Sequence, residues 1–201
     1  WLGISCSRMT RVTPMVVLKL SGVTTVLYFS ERILPRMNFR IQRIAAAKAG
    51  ASVCHVDASK GMVKAAKENA MLSGLAEAPI RYIVDDCRKF VEREIRRGNH
   101  YDAIIMDPPS YGRGPKGELW KIEDKIYDLI TSCISLFSDT PLFFIINTYT
   151  TGLSNTVMEN ILNLTMKKKF GGSVMADEIG FFAKESQIYL PCGSTARWQF
   201  L

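Results

Sequence analysis

YDAIIMDPPSYGRG, residues 101–114, is the stretch on which the fold turns. Residues 101–106 form an apolar, partly β-branched run of the length of one buried parallel strand. Asp107 follows at the C-terminal end of that strand, where open α/β sheets place their ligands. Pro108 and Pro109 each fix φ near −65° and lack an N–H, so the chain must leave the sheet in a stiff, extended turn. Such a turn aims Asp107 and the groups of Pro108 and Ser110 at one place, which a plain surface loop does not require.

Working outward, strands and helices alternate from about residue 45. Residues 45–50 end a helix with Gly50 at its C-cap, and SVCHV (52–56) is a strand that runs out at Asp57. A helix over 59–72 places Val63, Ala66 and Ala70 on one face and stops at Gly74. IRYIV (80–84) is the next strand and ends in Asp85-Asp86. Residues 87–97 form a helix with Phe90, Val91 and Ile95 inward. Beyond Tyr111, a Gly-rich loop (112–117) leads to a helix at about 122–137, then to PLFFIIN (141–147), the most hydrophobic strand and so a central one. A helix at 154–168 follows. Two final strands, 173–183 and 187–197, are joined as a hairpin. Parallel βα units closed by an antiparallel hairpin define an α/β, Rossmann-like sheet with a reversed strand near its edge.

Composition narrows the class without choosing a substrate. At 201 residues, 47% hydrophobic and 22% charged, the chain can bury a full core. The net charge of +7 is uneven: residues 1–43 carry seven basic side chains against the single acid Glu31, whereas the rest has 19 against 18. Charge alone therefore does not mark a nucleic-acid face on the main domain. Five cysteines, at 6, 54, 87, 133 and 192, show no C-x-x-C spacing, and His55 and His100 do not cluster. No metal site or disulfide framework is expected, which points to a reducing, cytoplasmic setting. There is no apolar run of membrane-spanning length and no signal-peptide pattern.

Three successive strands end in Asp57, Asp85/Asp86 and Asp107, all on one edge of the sheet. A carboxylate about twenty residues after a first strand accepts ribose hydroxyls, and Asp57 stands so relative to a strand ending near 35–37. Asp86 suits an exocyclic amine, with the Cys87 backbone N–H on the base. An adenosine-containing ligand fits these roles; the alternative is that aspartates often begin helices as N-caps, as Asp57 and Asp86 would. NAD would need Gly-x-Gly-x-x-Gly after the first strand, and that run is absent; GRGPKG (112–117) lacks the Lys-Ser/Thr ending of a nucleotide phosphate loop.

With these residues in place, the chain resembles the class I S-adenosylmethionine-dependent methyltransferases. More narrowly it resembles the branch related to bacterial 23S rRNA cytosine-5 and guanine methyltransferases, over about residues 44–198. CHVDASKGMVKAAKENA (54–70) is similar to the family's second motif, IVDDCRKF (83–90) to its third, and YDAIIMDPPSYGRGPKGELW (101–120) to its fourth. The resemblance implies seven strands ordered 3-2-1-4-5-7-6 with strand 7 antiparallel, and S-adenosyl-L-methionine as methyl donor. It implies a cofactor-binding set of Asp57, Ala58, Asp85, Asp86, Cys87 and Asp107, and a catalytic set of Asp107, Pro108, Pro109, Ser110 and Tyr111.

Two departures accompany the resemblance. The family's first motif is a strand followed by a glycine turn, which should fall at 36–41. The chain reads RMNFRI there, with Arg40 and Ile41 at the glycine positions. Residues 1–43 lack any familiar segment, and with their charge bias they read as an atypical, altered or partial region before a methyltransferase domain at 44–201. The related cytosine-5 enzymes also carry a nucleophilic cysteine after the fifth strand, where this chain has NTYTTG (147–152). Direct in-line transfer is the simpler chemistry, with Asp107 and the Pro108 carbonyl holding the acceptor and Tyr111 stacking on a base. Arg113 and Lys116 are placed to meet phosphates, and Asn147 and Tyr149 to line the acceptor side.

The leading expectation is thus methyl transfer to a base of ribosomal RNA. A protein or small-molecule methyltransferase and an inactive methyltransferase-like binding module are the alternatives. Enzymes of this kind carry an N-terminal RNA-binding region, for which the residues before 44 leave too little room. Substrate selection then rests on a missing segment or on a partner, and a homodimer is one arrangement left open.

Overall fold

A computed structural model of the chain describes residues 15–19, 39–113 and 119–200, with residues 39–42 described by their backbone. The elements in chain order are β1 (Met15–Lys19), α1 (Phe39–Lys48), β2 (Ser52–Asp57), α2 (Lys60–Leu72), β3 (Ile80–Val84), α3 (Cys87–Arg96) and β4 (Ala103–Met106). There follow β5 (Tyr111–Arg113), β6 (Leu119–Lys121), α4 (Ile122–Ile134), β7 (Phe143–Thr148) and α5 (Asn155–Leu162). After α5 the chain makes a π-helical turn (Asn163–Lys167) and a short α6 (Lys168–Phe170), then β8 (Ser173–Ala183) and β9 (Ile188–Gln199).

Seven strands make one sheet in the order β3-β2-β1-β4-β7-β9-β8, while β5 and β6 pair by themselves. Leaving out that small ribbon, the order is 3-2-1-4-5-7-6, as the sequence leads one to expect of a Rossmann-like class I methyltransferase sheet. β2 runs parallel to β3, and β4 to β7. β9, the seventh strand, is antiparallel to both β7 and β8.

The central strand departs from expectation. β1 is antiparallel to β2 and to β4, so it enters the sheet at the edge where its neighbours end. The strand anticipated near 35–37 lies outside the described residues, and Met15–Lys19 fills the slot between β2 and β4. The physical reason is that a strand buried on both faces reads the same in either direction. Met15 and Val17 face one core, Val16 and Leu18 the other, and all four are at most 1% exposed. Reversal keeps every one of these burials, and antiparallel pairs form ladders at least as good as parallel ones.

The family's glycine turn, which this sequence lacks at 36–41, is replaced by helix in the described part of that stretch. Residues 39–41 form the first turn of α1, so Arg40 and Ile41 are helical. Both carry a Cβ, which favours right-handed helical backbone over the positive φ that a glycine turn exploits. Gly50, at φ +86°, closes that helix as its position predicts.

Helices cover both faces. α3, α4 and α5 supply Phe90, Val91, Ile126, Leu129, Ile130, Cys133, Met158 and Leu162 to a core with Met106, Phe144 and Ile146. On the other face Ala46 and Ala47 of α1 meet Val53, Ala103, Ile105, Phe143 and Ile145. The expected α3 face is partly wrong. Ile95 is 40% exposed and Glu94 is buried instead. Glu94 accepts from Tyr101 Oη (2.6 Å), Asn99 Nδ2 (2.8 Å) and Arg97 Nη1 (2.9 Å), and these bonds make a buried carboxylate tolerable. The single helix anticipated at 154–168 is interrupted by the π-turn, where the Thr165 hydroxyl donates to the Ile161 carbonyl at 2.6 Å.

Among the described residues no helix is long and apolar enough to cross a membrane.

Candidate functional site

Strand register sets the site. Val56 and Met106 both oppose Met15, so Asp57 and Asp107 stand one residue beyond, at the same height. They are two strand spacings apart, roughly 9–10 Å. On one flank Asp57 pairs with Val84, and the Asp85 N–H donates to the Asp57 carbonyl at 3.1 Å. On the other flank Ile146 opposes Met106, which brings Asn147 level with Asp107. The carboxyl ends of four parallel strands thus share one edge.

Asp57 is 4% exposed, and burial raises its carboxyl above the ordinary value against the lowering pull of the Ser59 N–H and Arg43. Its Oδ1 accepts that N–H at 2.7 Å, while Ser59 in turn caps α2 through Met62 N. Ala58, half-buried, sits between them. Arg43, 2% exposed on α1, is a neighbour the sequence reading did not single out. Its charge is felt by Asp57, His55 and Tyr82.

Asp86 is the N-cap of α3, its Oδ1 accepting from Arg88 N (3.0 Å) and Lys89 N (3.2 Å). The N-cap alternative is therefore correct for one of its oxygens. Asp85 forms an ion pair with Arg93. Cys87 is 1% exposed, and burial, with the nearby Cys133, Asp86, Asp57 and Asp85, pushes its thiol well up. Its side chain belongs to the core.

The Asp-Pro-Pro turn is held from behind. Trp120 Nε1 donates to the Pro109 carbonyl at 2.7 Å, and Ile122 N donates to the Ser110 carbonyl at 3.1 Å. The Ser110 hydroxyl accepts from Thr150 Oγ1 at 2.6 Å, tying this turn to the one after β7. Pro108 is buried, Asp107, Pro109 and Ser110 are half-buried, and Tyr111 is 47% exposed. The Gly-rich loop expected at 112–117 begins instead as the β5–β6 ribbon, which pairs Gly112 with Trp120. That pairing explains how an indole nine residues beyond Tyr111 reaches back to Pro109. Lys116 lies outside the described residues, whereas Arg113 sits exposed on β5.

Across the turn Tyr149 is 49% exposed, and its hydroxyl is pushed up to about 12 by burial and then by the charge of Asp107. Asn147 is 2% exposed and contributes to the strand end rather than to an open wall. Gly193 of β9 lies so close to Thr148 and Tyr149 that a Cβ there would overlap the Thr148 carbonyl. Cys192 is half-buried beside this contact, while Cys54 and Cys133 are buried, with thiols raised to about 11 and about 12 by desolvation. Among the described residues no group of three or more His, Cys, Asp or Glu could hold a metal ion.

The arrangement offers one buried and several half-buried carboxylates along one sheet edge, with a rigid proline turn and a phenol beside the last. Sequence reading missed Arg43, Trp120 and Thr150. A Trp at the end of a Gly-rich loop was the available signal for the second.

No protein-family model matches the chain. A stretch of 73 residues, 36% of the chain, is 34% identical to a protein of Methanocaldococcus jannaschii named as a provisional ribosomal RNA large subunit methyltransferase. A stretch of 69 residues is 32% identical to ribosomal RNA large subunit methyltransferase I of Aeromonas hydrophila. These matches span 19% and 17% of the two relatives. The crystal structure of a SAM-dependent methyltransferase from Agrobacterium tumefaciens superposes with a TM-score of 0.73 at 36% identity. That similarity covers 80% of this chain and 53% of the other, so the chain spans about half of its solved neighbour. The fold is that of a class I methyltransferase.

Proposed function

We propose that the chain is an S-adenosyl-L-methionine-dependent methyltransferase that transfers a methyl group to a base of ribosomal RNA in the cytoplasm. The observation that carries this reading is the coincidence of Asp57 and Asp107 at equal height on one sheet edge, with Asp86 beside them. The likeness to the Agrobacterium enzyme over most of the chain supports the cofactor and the chemistry. The two ribosomal RNA enzymes support the substrate class over the shorter matched stretches.

In this reading residues 44–201 carry the methyltransferase unit, with Met15–Lys19 completing its sheet and residues 1–43 otherwise atypical. Asp57 and Ala58 would hold the ribose, the carboxylate accepting from its hydroxyls. Asp86 and the Cys87 backbone take the adenine edge, and Asp85 steadies that loop through Arg93. The bound cofactor supplies an electrophilic methyl on a sulfonium, so the protein's task is alignment and charge placement. Asp107 and the Pro108 carbonyl orient the acceptor amine or ring nitrogen. Pro109 and Ser110 are fixed by Trp120 and Thr150, and Tyr111 stacks on the extruded base. With Cys54, Cys87 and Cys133 committed to the core, in-line transfer is preferred to a covalent thiolate route.

Calorimetric titration with S-adenosylmethionine and tritiated-methyl transfer onto stripped ribosomal RNA test the two halves separately. Binding that weakens tenfold or more in Asp57→Ala is the expected result. Absence of binding at millimolar cofactor would sink the enzymatic reading and favour an inactive binding module. Label entering protein but not RNA would sink the substrate class and leave the chemistry standing.

A further inference from the structure

A cavity of about 390 Å³ opens at the far edge of the sheet, where β1 ends and β2 and β3 begin. Ser52, on its wall, starts the strand that finishes at Asp57, five steps of about 3.3 Å away. Roughly 17 Å of strand therefore separates this cavity from the edge assigned to the cofactor.

The pleat decides what lines it. Val17 and Cys54 oppose each other and point into the core shared with α3. Two residues further out on the same face stand Lys19 and Ser52, themselves a pair. Arg81 pairs with Cys54 from β3, which puts its side chain on that face as well. Asn99 and Tyr101, from the turn between α3 and β4, close another wall, and Val53, Pro79 and Ile80 make one side apolar.

The charge of the cavity is one-sided. Lys19 and Arg81 line it, and no acidic side chain among the described residues does. Among those residues, too, neither cation forms an ion pair. The charge of Arg81 reaches Glu94, but that carboxylate is already bonded by Tyr101, Asn99 and Arg97. Two cations set in a concave, partly apolar wall focus a positive potential that scattered surface lysines do not.

We infer that this cavity is a binding site for a phosphate monoester. Three features select that chemistry. Such a group carries about −1.5 to −2 charges at neutral pH, which two cations match; a carboxylate or a phosphodiester would leave one unanswered. The guanidinium fork of Arg81, the Lys19 ammonium and the Ser52 hydroxyl are all donors suited to its oxygens. The volume falls within the roughly 300–1,000 Å³ of small-molecule pockets, which leaves room against the apolar side for the carbon portion of the ester. A free sugar phosphate and the 5′-phosphorylated end of a nucleic-acid strand both present this group. The site does not depend on the methyl-transfer reading.

Calorimetric titration of the full chain tests it, with ribose 5-phosphate and ribose, and with a uridine trinucleotide bearing or lacking a 5′ phosphate. None of these probes contains the adenine that would draw it to the cofactor edge. Ribose 5-phosphate should bind with a Kd at or below about 1 mM, and ribose should not bind. Arg81→Gln and, separately, Lys19→Gln should each weaken binding roughly tenfold. Circular dichroism should be unchanged, since both side chains are exposed. If only the 5′-phosphorylated trinucleotide binds, and both substitutions weaken it, the strand end is the source and the site stands. No binding of either phosphate at about 10 mM overturns the inference. So does binding that neither substitution weakens, or that the probes without phosphate match.

Discussion

The indole N–H of Trp120 donates to the carbonyl of Pro109 across 2.7 Å, so the turn that presents Asp107 is anchored by a residue eleven positions downstream. Pro108 and Pro109 bring no backbone donors to that turn, and its carbonyls are gripped from outside. Trp120→Phe keeps the ring's bulk and removes the donor. Losing one such bond costs about 1 kcal/mol, or roughly a fivefold to tenfold fall in transfer rate. Cofactor affinity should fall by less, because Asp57 and Asp86 are untouched and only Asp107 of the cofactor set lies on this turn. An equal loss in both would show that the indole supports the whole sheet edge.

Gly193→Ala should be costly out of proportion to one methyl group. Its Cβ would meet the Thr148 carbonyl and the Tyr149 ring, and β9 must shift or Tyr149 must leave Asp107. Overpacking of this kind costs about 1–3 kcal/mol, and a domain of this size loses about 2–4 °C of Tm per kcal/mol. A calorimetric scan reads it directly. An unchanged Tm would mean that the approach of β9 to β7 is looser than described.

Tyr101→Phe probes the buried carboxylate of Glu94. Burial alone would raise that carboxyl, but the bonds from Tyr101, Asn99 and Arg97 bring it below the ordinary value. A depressed carboxyl stabilises the fold above its unfolded value of 4.5 and loses that contribution as pH falls. Removing the phenol donor should cost about 1–2 kcal/mol at neutral pH. Denaturant titrations at pH 7 and pH 4 should show the gap between variant and parent narrowing in acid.

His55 makes a second acid-sensitive element. Burial, and then the Arg43 charge, lower its ring from 6.5 to about 3, so it is neutral in the fold. The unfolded chain takes up its proton first, and stability therefore falls as pH drops from 6.5 towards 3. Between pH 6.5 and 5 the loss should be about 2 kcal/mol, at about 1.4 kcal/mol per pH unit. Asp57, with its raised carboxyl, works in the opposite direction at lower pH, so comparison with His55→Leu isolates the histidine. The variant should flatten the pH dependence of Tm over this window, and parallel curves would refute the assignment.

From Ser52 onward the order of the main strands and helices was legible because periodicity and punctuation agree. The β5–β6 ribbon, the π-turn and the buried Glu94 were not. Asp57 and Asp107 end strands of unmistakable apolarity, and Gly50 and Gly74 close helices where the pattern stops. The central strand was not legible. Val16, Val17 and Leu18 satisfy two cores in either direction, and a short run says nothing about which way it travels. Trp120 and Thr150 escaped notice for another reason. Their partners lie 11 and 40 residues away, and only the closing of the β5–β6 ribbon and the turn after β7 brings them to Pro109 and Ser110. Arg43 falls in the atypical segment of the sequence, yet it is buried and its charge acts on Asp57.

The reversed central strand also determines where this protein can be cut. A chain begun at residue 44 looks on paper like a trimmed catalytic unit. Without Met15–Lys19, however, β2 and β4 would face each other across an empty lane, each with a full row of unpaired amides and carbonyls. The two half-sheets would have to collapse together or recruit a foreign strand. A peptide spanning Met15–Lys19 supplied separately would be such a strand, and the lane would admit it by whichever end arrived first.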